Sequence, residues 1–224
     1  MKKSELIHLL EKYAALYKSR NKDATKTSIY VVGSQSIWGV HESTSNKIQM
    51  SYELDVIPEN YTEELDNDFT FVIGELSAHH QHFNTAIDIV EESTIKAGEN
   101  WKDRCKKEIY NFESLSLEVN YLDPHDLVFA KMIAGREKDL EYVEEMFRCN
   151  ILSIKKLNFI FNTELDKELI NEDSYENIQR KLNYFISKHV SPAKKIRRYS
   201  IEDGIDDSID KWSSKSRKQI KQYK

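Results

Sequence analysis

The chain has 224 residues, 39% apolar and 32% charged, with a formal net charge of −5. That length suits one large domain or a domain with an appendage, and the acidic balance excludes a protein that coats nucleic acid with basic charge over its whole surface. No apolar run approaches about 18 residues, the charges at Glu11 and Lys12 interrupt any signal-peptide core, and Cys105 and Cys149 lack metal or redox spacing. The expectation is a cytoplasmic protein with two reduced thiols and no membrane association.

Leu6, Leu9, Leu10, Tyr13, Leu16 and Tyr17 recur at three- and four-residue spacing, which predicts an amphipathic helix starting at Ser4. Ser28 to Val32 is a β-rich run. Gly33 to Trp38 turns and opens a short helix, and residues 41–50 read as a polar loop. Tyr52 to Ile57 is a second strand, ended by Pro58. Tyr61 to Ser77 reads as helical. Ala86 to Val90 is a third strand, with Asp88 facing away from Ile87 and Ile89. Lys107 to Tyr110 and Leu115 to Val119 are further strand candidates.

Asp123-Pro124 is a strong helix start, with Asp as N-cap and Pro at the first helical position. Helical spacing runs through Leu127, Ala130, Lys131 and Ile133, is punctuated at Gly135, and resumes from Leu140 through Val143, Met146 and Phe147. Ile154 to Asn162 and Tyr175 to Lys188 also read as helices. Residues 202–210 then hold five acids and 212–224 five bases with no acid, the pattern of a solvated tail. The order predicts an α+β fold: a core over residues 1–122, a helical region over 123–195, and a charged tail over 196–224.

Glu53 and Asp55 stand at i and i+2 of a strand and so share one face, with Leu54 turned the other way. Adjacent carboxylates repel unless a cation lies between them, and a divalent metal is the usual partner. As an exposed edge-strand face the pair would be unremarked, but the strand ends in the apolar Val56-Ile57, where unpaired charge is costly. Gly33-Ser34 alone is an ordinary turn signal. Beside the carboxylates it offers backbone N–H groups and a hydroxyl for phosphate oxygens. Asp88 is a candidate third acid, with Glu118 its competitor. Lys131, Gly135 and Asp139 stand at i, i+4 and i+8, and Lys131 lies among apolar neighbours, as a lysine aimed at phosphate would. His79, His80 and His82 cluster without clear metal-ligand spacing.

Together these residues resemble the nucleotidyltransferase superfamily that includes DNA polymerase β, whose pattern is a Gly-Ser turn followed by an acid-x-acid strand. More closely, the chain is similar to the bacterial DUF6036 nucleotidyltransferases, related to AbiEii-type toxins. The likeness rests on Val31-Val32-Gly33-Ser34-Gln35-Ser36-Ile37, the Glu53/Asp55 strand, and Gly74-Glu75-Leu76-Ser77 with His80 and Phe83. It continues through Asp88, Trp101 with Arg104, and most specifically His125-Asp126-Leu127 through Lys131 to Gly135-Arg136-Glu137-Lys138-Asp139. It departs from the superfamily pattern in having Glu as the first acid and a longer separation between Ser34 and Glu53.

The resemblance implies a nucleotidyltransferase fold, a mixed sheet flanked by helices with a helical C-terminal half. It implies transfer of a nucleoside monophosphate from an NTP with Mg2+ or Mn2+. By position, Glu53, Asp55, Lys131 and Asp139 would be catalytic. Gly33, Ser34, Lys131 and Arg136 would meet the nucleotide phosphates, and Glu53, Asp55 and Asp88 would hold the metal. RNA, tRNA or protein would be the acceptor, with a toxin or defence role and a cognate antitoxin as the implied setting. The competing expectation is a non-catalytic binding module of the same fold that acts on a protein or RNA partner.

Overall fold

In the computed structural model, which describes residues 1–41, 45, 47–48, 51–165 and 172–189, the elements run in mixed order. They are α1 (Lys3–Arg20), β1 (Lys26–Val31), a 3-10 helix (Ser34–Gly39), β2 (Glu53–Pro58), α2 (Glu63–Ile73), α3 (Ala78–Phe83), β3 (Ala86–Ile89), α4 (Trp101–Arg104), β4 (Lys106–Asn111), β5 (Ser116–Tyr121), α5 (Pro124–Ala134), α6 (Glu137–Arg148), α7 (Ile154–Thr163) and α8 (Glu172–His189). The fold is α+β, a five-stranded mixed sheet flanked by helices, with the helices of the C-terminal half following the last strand. The tail expected from residue 196, and most of the loop expected over 41–50, lie outside the described residues.

The strand order is β3-β2-β1-β5-β4. β1 runs antiparallel to β2 and parallel to β5; β2 is parallel to β3, and β4 is antiparallel to β5. Strand alternation divides the side chains between two layers. Ile29, Val31, Leu54, Val56, Ile87, Leu117, Val119 and Tyr121 face one layer, where α1 presents Leu6, Leu9, Leu10 and Tyr13 and α2 presents Leu65, Phe69 and Ile73. A second apolar cluster gathers Val32, Ile37, Ile57, Trp101 and Leu122 with the inward faces of α5, α6, α7 and α8. The strand ends carrying the Gly-Ser turn and the carboxylates therefore meet the C-terminal helices.

Local chemistry explains most boundaries. Asp123 caps α5 by accepting the His125 N–H at 2.9 Å, with Pro124 in the first turn. α1 starts at Lys3, one residue before the expected Ser4, with Lys2 as N-cap and the Glu5 carboxylate accepting the Lys2 N–H at 2.6 Å. The helix expected over 61–77 ends instead at Ile73, because Gly74 is extended and Leu76 adopts a left-handed φ of 69°. Ser77 then caps the separate helix α3, which carries the histidine cluster.

His125 and Asp126 build a buried scaffold. The His125 Nε2 accepts the Ser153 N–H at 2.8 Å, so Nδ1 carries the proton donated to Asp123 at 2.7 Å. Lys156 Nζ reaches the other Asp123 oxygen at 2.6 Å. Burial would raise the Asp123 carboxyl, yet His125 and Lys156 hold it down at about 2. Asp126 accepts a bidentate pair from Arg104, Nε at 2.6 Å and Nη2 at 2.7 Å, and the Gly98 N–H at 3.1 Å. Glu164 takes Arg104 Nη1, which joins α4, α5 and the end of α7 in one ion network. Removing a partner from a buried pair leaves an uncompensated charge. Arg104→Met should lower the unfolding free energy by about 3–5 kcal/mol in urea titrations. Lys102→Met, which breaks an exposed pair with Glu92, should cost under about 1 kcal/mol.

Candidate active site

β2 sets the acid face. Leu54 and Val56 are fully buried against α1 and α2, so Glu53 and Asp55 must point the other way. The parallel register places Asp55 opposite Asp88 and Glu53 opposite Ala86. Directly paired residues share a face, so Asp88 joins Glu53 and Asp55. The competing acid, Glu118, pairs with Ser28 on the far side of β1 and bonds Lys107 Nζ at 3.1 Å. The structure thus groups Asp88, not Glu118, with the strand pair.

The Gly33 turn abuts the middle acid. The Val32 N–H donates to the Asp55 carbonyl at 3.0 Å, extending the ladder beyond β1. A Cβ built on Gly33 would coincide with Asp55 Oδ2, so the carboxylate occupies space that only glycine leaves open. Ser34 then opens the 3-10 helix, whose Gln35 is fully buried, receiving the Trp38 indole N–H at 3.0 Å and donating to the Ser51 carbonyl at 2.9 Å.

Lys131 and Asp139 meet through a break in the helix at Gly135. In an unbroken helix eight residues advance about 12 Å, too far for contact. Gly135 takes a left-handed φ of 67° and ends α5, and α6 turns back from Glu137. The turn brings Lys131 Nζ to Asp139 Oδ1 at 3.2 Å, while Arg136 Nε meets Asp139 Oδ2 at 2.6 Å. Asp139 and Lys131 are 2% and 12% exposed, and Arg136 is 65% exposed. The Lys131 ammonium also lies 4.4 Å from the centroid of the Tyr142 ring, and the Tyr142 hydroxyl donates to the Ser34 carbonyl at 2.7 Å.

The electrostatics are unequal on the two sides. Burial, then Asp88 and Glu53, push the Asp55 carboxyl up to about 6, against the pull of Lys131. Asp88 is raised by burial and by Glu53, Asp66 and Glu75. Burial lowers Lys131, with Asp139 and Asp55 opposing. For Asp139 burial acts upward, but Arg136 and Lys131 prevail and its carboxyl falls below the ordinary range. A lysine and an arginine share one buried carboxylate here, and the lysine's charge also acts on Asp55.

That donor set suits a divalent cation. Mg2+ takes hard oxygens, commonly one or two carboxylates, and completes its shell with water and phosphate. Among the described residues no group of three or more His, Cys, Asp or Glu side chains is placed to hold a metal ion, so Glu53, Asp55 and Asp88 share a sheet face without converging on one point. His79, His80 and His82 are on α3. His79 is in hydrogen-bonding distance of Thr85 Oγ1 at 3.3 Å, and His80 Nδ1 accepts the Leu76 N–H at 3.1 Å.

The family described as a nucleotidyltransferase of unknown function (DUF6036) matches residues 4–190. The chain belongs to this family. No curated protein and no solved structure matches it. The DUF6036 match extends over α7 and α8, beyond the stretch that carried the sequence resemblance. The described helices include none long and apolar enough to cross a membrane, and both cysteines are free thiols.

One residue at this candidate site, Tyr142, lacked a sequence signal of its own. Tyr142 follows Asp139 by three positions, so it shares Asp139's helix face, which was the one available clue. Asp55 supplies a stability test. Its carboxyl titrates near 6 in the folded chain against an ordinary 3.8, so the native state holds the extra proton between those values. Its ionisation therefore destabilises the fold, fully above pH 6 and not at all below about pH 4. Asp55→Asn should be more stable than wild type by about 1–3 kcal/mol at pH 8. The gain should fade as pH falls from 6 to 4 in chemical denaturation series.

Proposed function

We propose that this nucleotidyltransferase moves a nucleoside monophosphate from an NTP to an acceptor, with Mg2+ or Mn2+ bound on the Glu53, Asp55 and Asp88 face. The observation that carries the reading is that the acid face, wedged against Gly33 at Asp55, lies within the electrostatic reach of the Lys131–Asp139–Arg136 cluster, which Tyr142 ties to Ser34. When bound, the cation would neutralise phosphate oxygens and the charge developing on pyrophosphate.

The chain's own groups divide the remaining work. Lys131 and Arg136 offer positive charge to the triphosphate. Asp139 fixes both cations, and the Ser34 hydroxyl is a donor for a phosphate oxygen. In the transfer, a bond forms between an acceptor nucleophile and the α-phosphorus. The α–β phosphoanhydride bond breaks, pyrophosphate leaves with the electron pair, and the acceptor's proton passes to solvent. RNA, tRNA and protein are the acceptor classes to be tested.

The test is incubation with each of the four α-labelled NTPs and MgCl2 or MnCl2, against total RNA and a protein extract. Wild type should transfer label. The Glu53→Gln/Asp55→Asn double variant should lose about 100-fold or more, and Lys131→Met about 10- to 100-fold. Equal labelling by wild type and the double variant would sink the assignment. Retained partner binding with no transfer by wild type would favour the non-catalytic module.

A further inference from the structure

Tyr142 touches both of the parts that the proposed reaction needs on the phosphate side. Its hydroxyl donates to the Ser34 carbonyl at 2.7 Å across 108 residues of sequence, and its ring face receives the Lys131 ammonium at 4.4 Å. The side chain is buried, with 7% of the residue exposed. Burial also pushes its phenol above the ordinary value, so the hydroxyl stays a proton donor throughout the working pH range.

These contacts have directional consequences. A carbonyl and the N–H of the next residue point opposite ways across a trans peptide. Fixing the Ser34 carbonyl on Tyr142 therefore fixes the orientation of the Ser34–Gln35 peptide. Lys131 needs separate help, because its partner Asp139 is shared with Arg136. An aromatic face stabilises a desolvated ammonium without neutralising it, whereas a second carboxylate would cancel the charge. The ring thus holds Lys131 in place and leaves its charge available. Asp139 and Tyr142 lie on one face of α6, so the helix presents both supports together.

We infer that Tyr142 is the positioning residue that locks the Ser34 turn and Lys131 into one arrangement for a nucleoside triphosphate. This deepens the nucleotidyltransferase reading and rests on it for the identity of the ligand. The two contacts can be separated: Tyr142→Phe keeps the ring and removes the hydroxyl, and Tyr142→Leu removes both.

The experiment has two arms. In the first, equilibrium binding of ATP, GTP, CTP and UTP is measured in MgCl2. For the nucleotide that wild type binds, Tyr142→Phe should weaken binding by about 3- to 10-fold and Tyr142→Leu by about 30-fold or more. In the second, acetylation of lysines by an amine-reactive ester is followed by peptide mass spectrometry without nucleotide. Lys131 should label at the wild-type rate in Tyr142→Phe and several-fold faster in Tyr142→Leu. Lys181, whose Nζ caps α5 on the Met132 carbonyl at 2.9 Å, should be unchanged in both.

Lys131 labelling no faster in Tyr142→Leu overturns the inference, as does a parallel rise at Lys181, which would mean general loosening. Wild-type nucleotide affinity in Tyr142→Phe overturns it too, because the hydroxyl would then do nothing for the turn. If wild type binds none of the four nucleotides while Lys131 alone responds, Tyr142 does position Lys131 and it is the nucleotidyl-transfer reading that fails.

Discussion

Everything at the candidate site depends on where β2 turns its acids. Leu54 and Val56 are committed to the layer under α1 and α2, and a strand's period of two then forces Glu53 and Asp55 onto the opposite face. Sliding β2 by one residue would bury both carboxylates and expose both apolar chains, so the register is fixed by a large free-energy difference. The parallel pairing with β3 adds Asp88 beside Asp55. The resulting repulsion is only partly offset by Lys131, which is already engaged with Asp139. The hydrophobic layer therefore stabilises an arrangement that its own electrostatics oppose.

The parts legible in the sequence are those set by short-range rules. Alternation located the central strands, Asp123-Pro124 marked the start of α5, and spacing placed Glu53 with Asp55. What escaped depended on backbone torsions or on long-range contact. Leu76 in the left-handed region splits the expected 61–77 helix, although leucine carries no local preference for that conformation. The single-turn helix α4 is too short to show periodicity. Asp88 and Glu118 were equivalent in one dimension, and strand order alone separates them.

The Lys131–Asp139 contact is a sharper case. On a continuous helix the i, i+8 spacing would leave the two groups about 12 Å apart, and the helix cost of a glycine predicts a break or a close approach at Gly135. The break is there: Gly135 takes the left-handed turn that folds α6 back and closes the distance to 3.2 Å. The glycine that weakens the helical pattern is the residue that makes the pair. His125-Asp126, the most specific part of the sequence resemblance, belongs to the scaffold: every hydrogen-bonding position of the His125 ring is engaged by Asp123 or the Ser153 N–H.

Two buried ion networks in this chain show what separates scaffold from site. Around Arg104, two carboxylates hold one guanidinium, and Asp126 also takes a backbone N–H. That guanidinium is 4% exposed and joins α4, α5 and the end of α7. Around Asp139 the ratio is reversed: one carboxylate holds two cations, and an aromatic ring supports one of them. With Lys131 and Arg136 charged and Asp139 ionised, that cluster keeps a surplus positive charge, while Glu53, Asp55 and Asp88 keep a surplus of negative charge. Neither surplus is relieved by moving toward the other, because Asp55 is wedged against Gly33 and Lys131 is pinned by Asp139 and Tyr142. Charge that a fold separates and then immobilises is costly to stability and useful to a ligand carrying both signs. The metal-bound triphosphate proposed above would be such a ligand, its cation for the acids and its phosphate oxygens for the lysine.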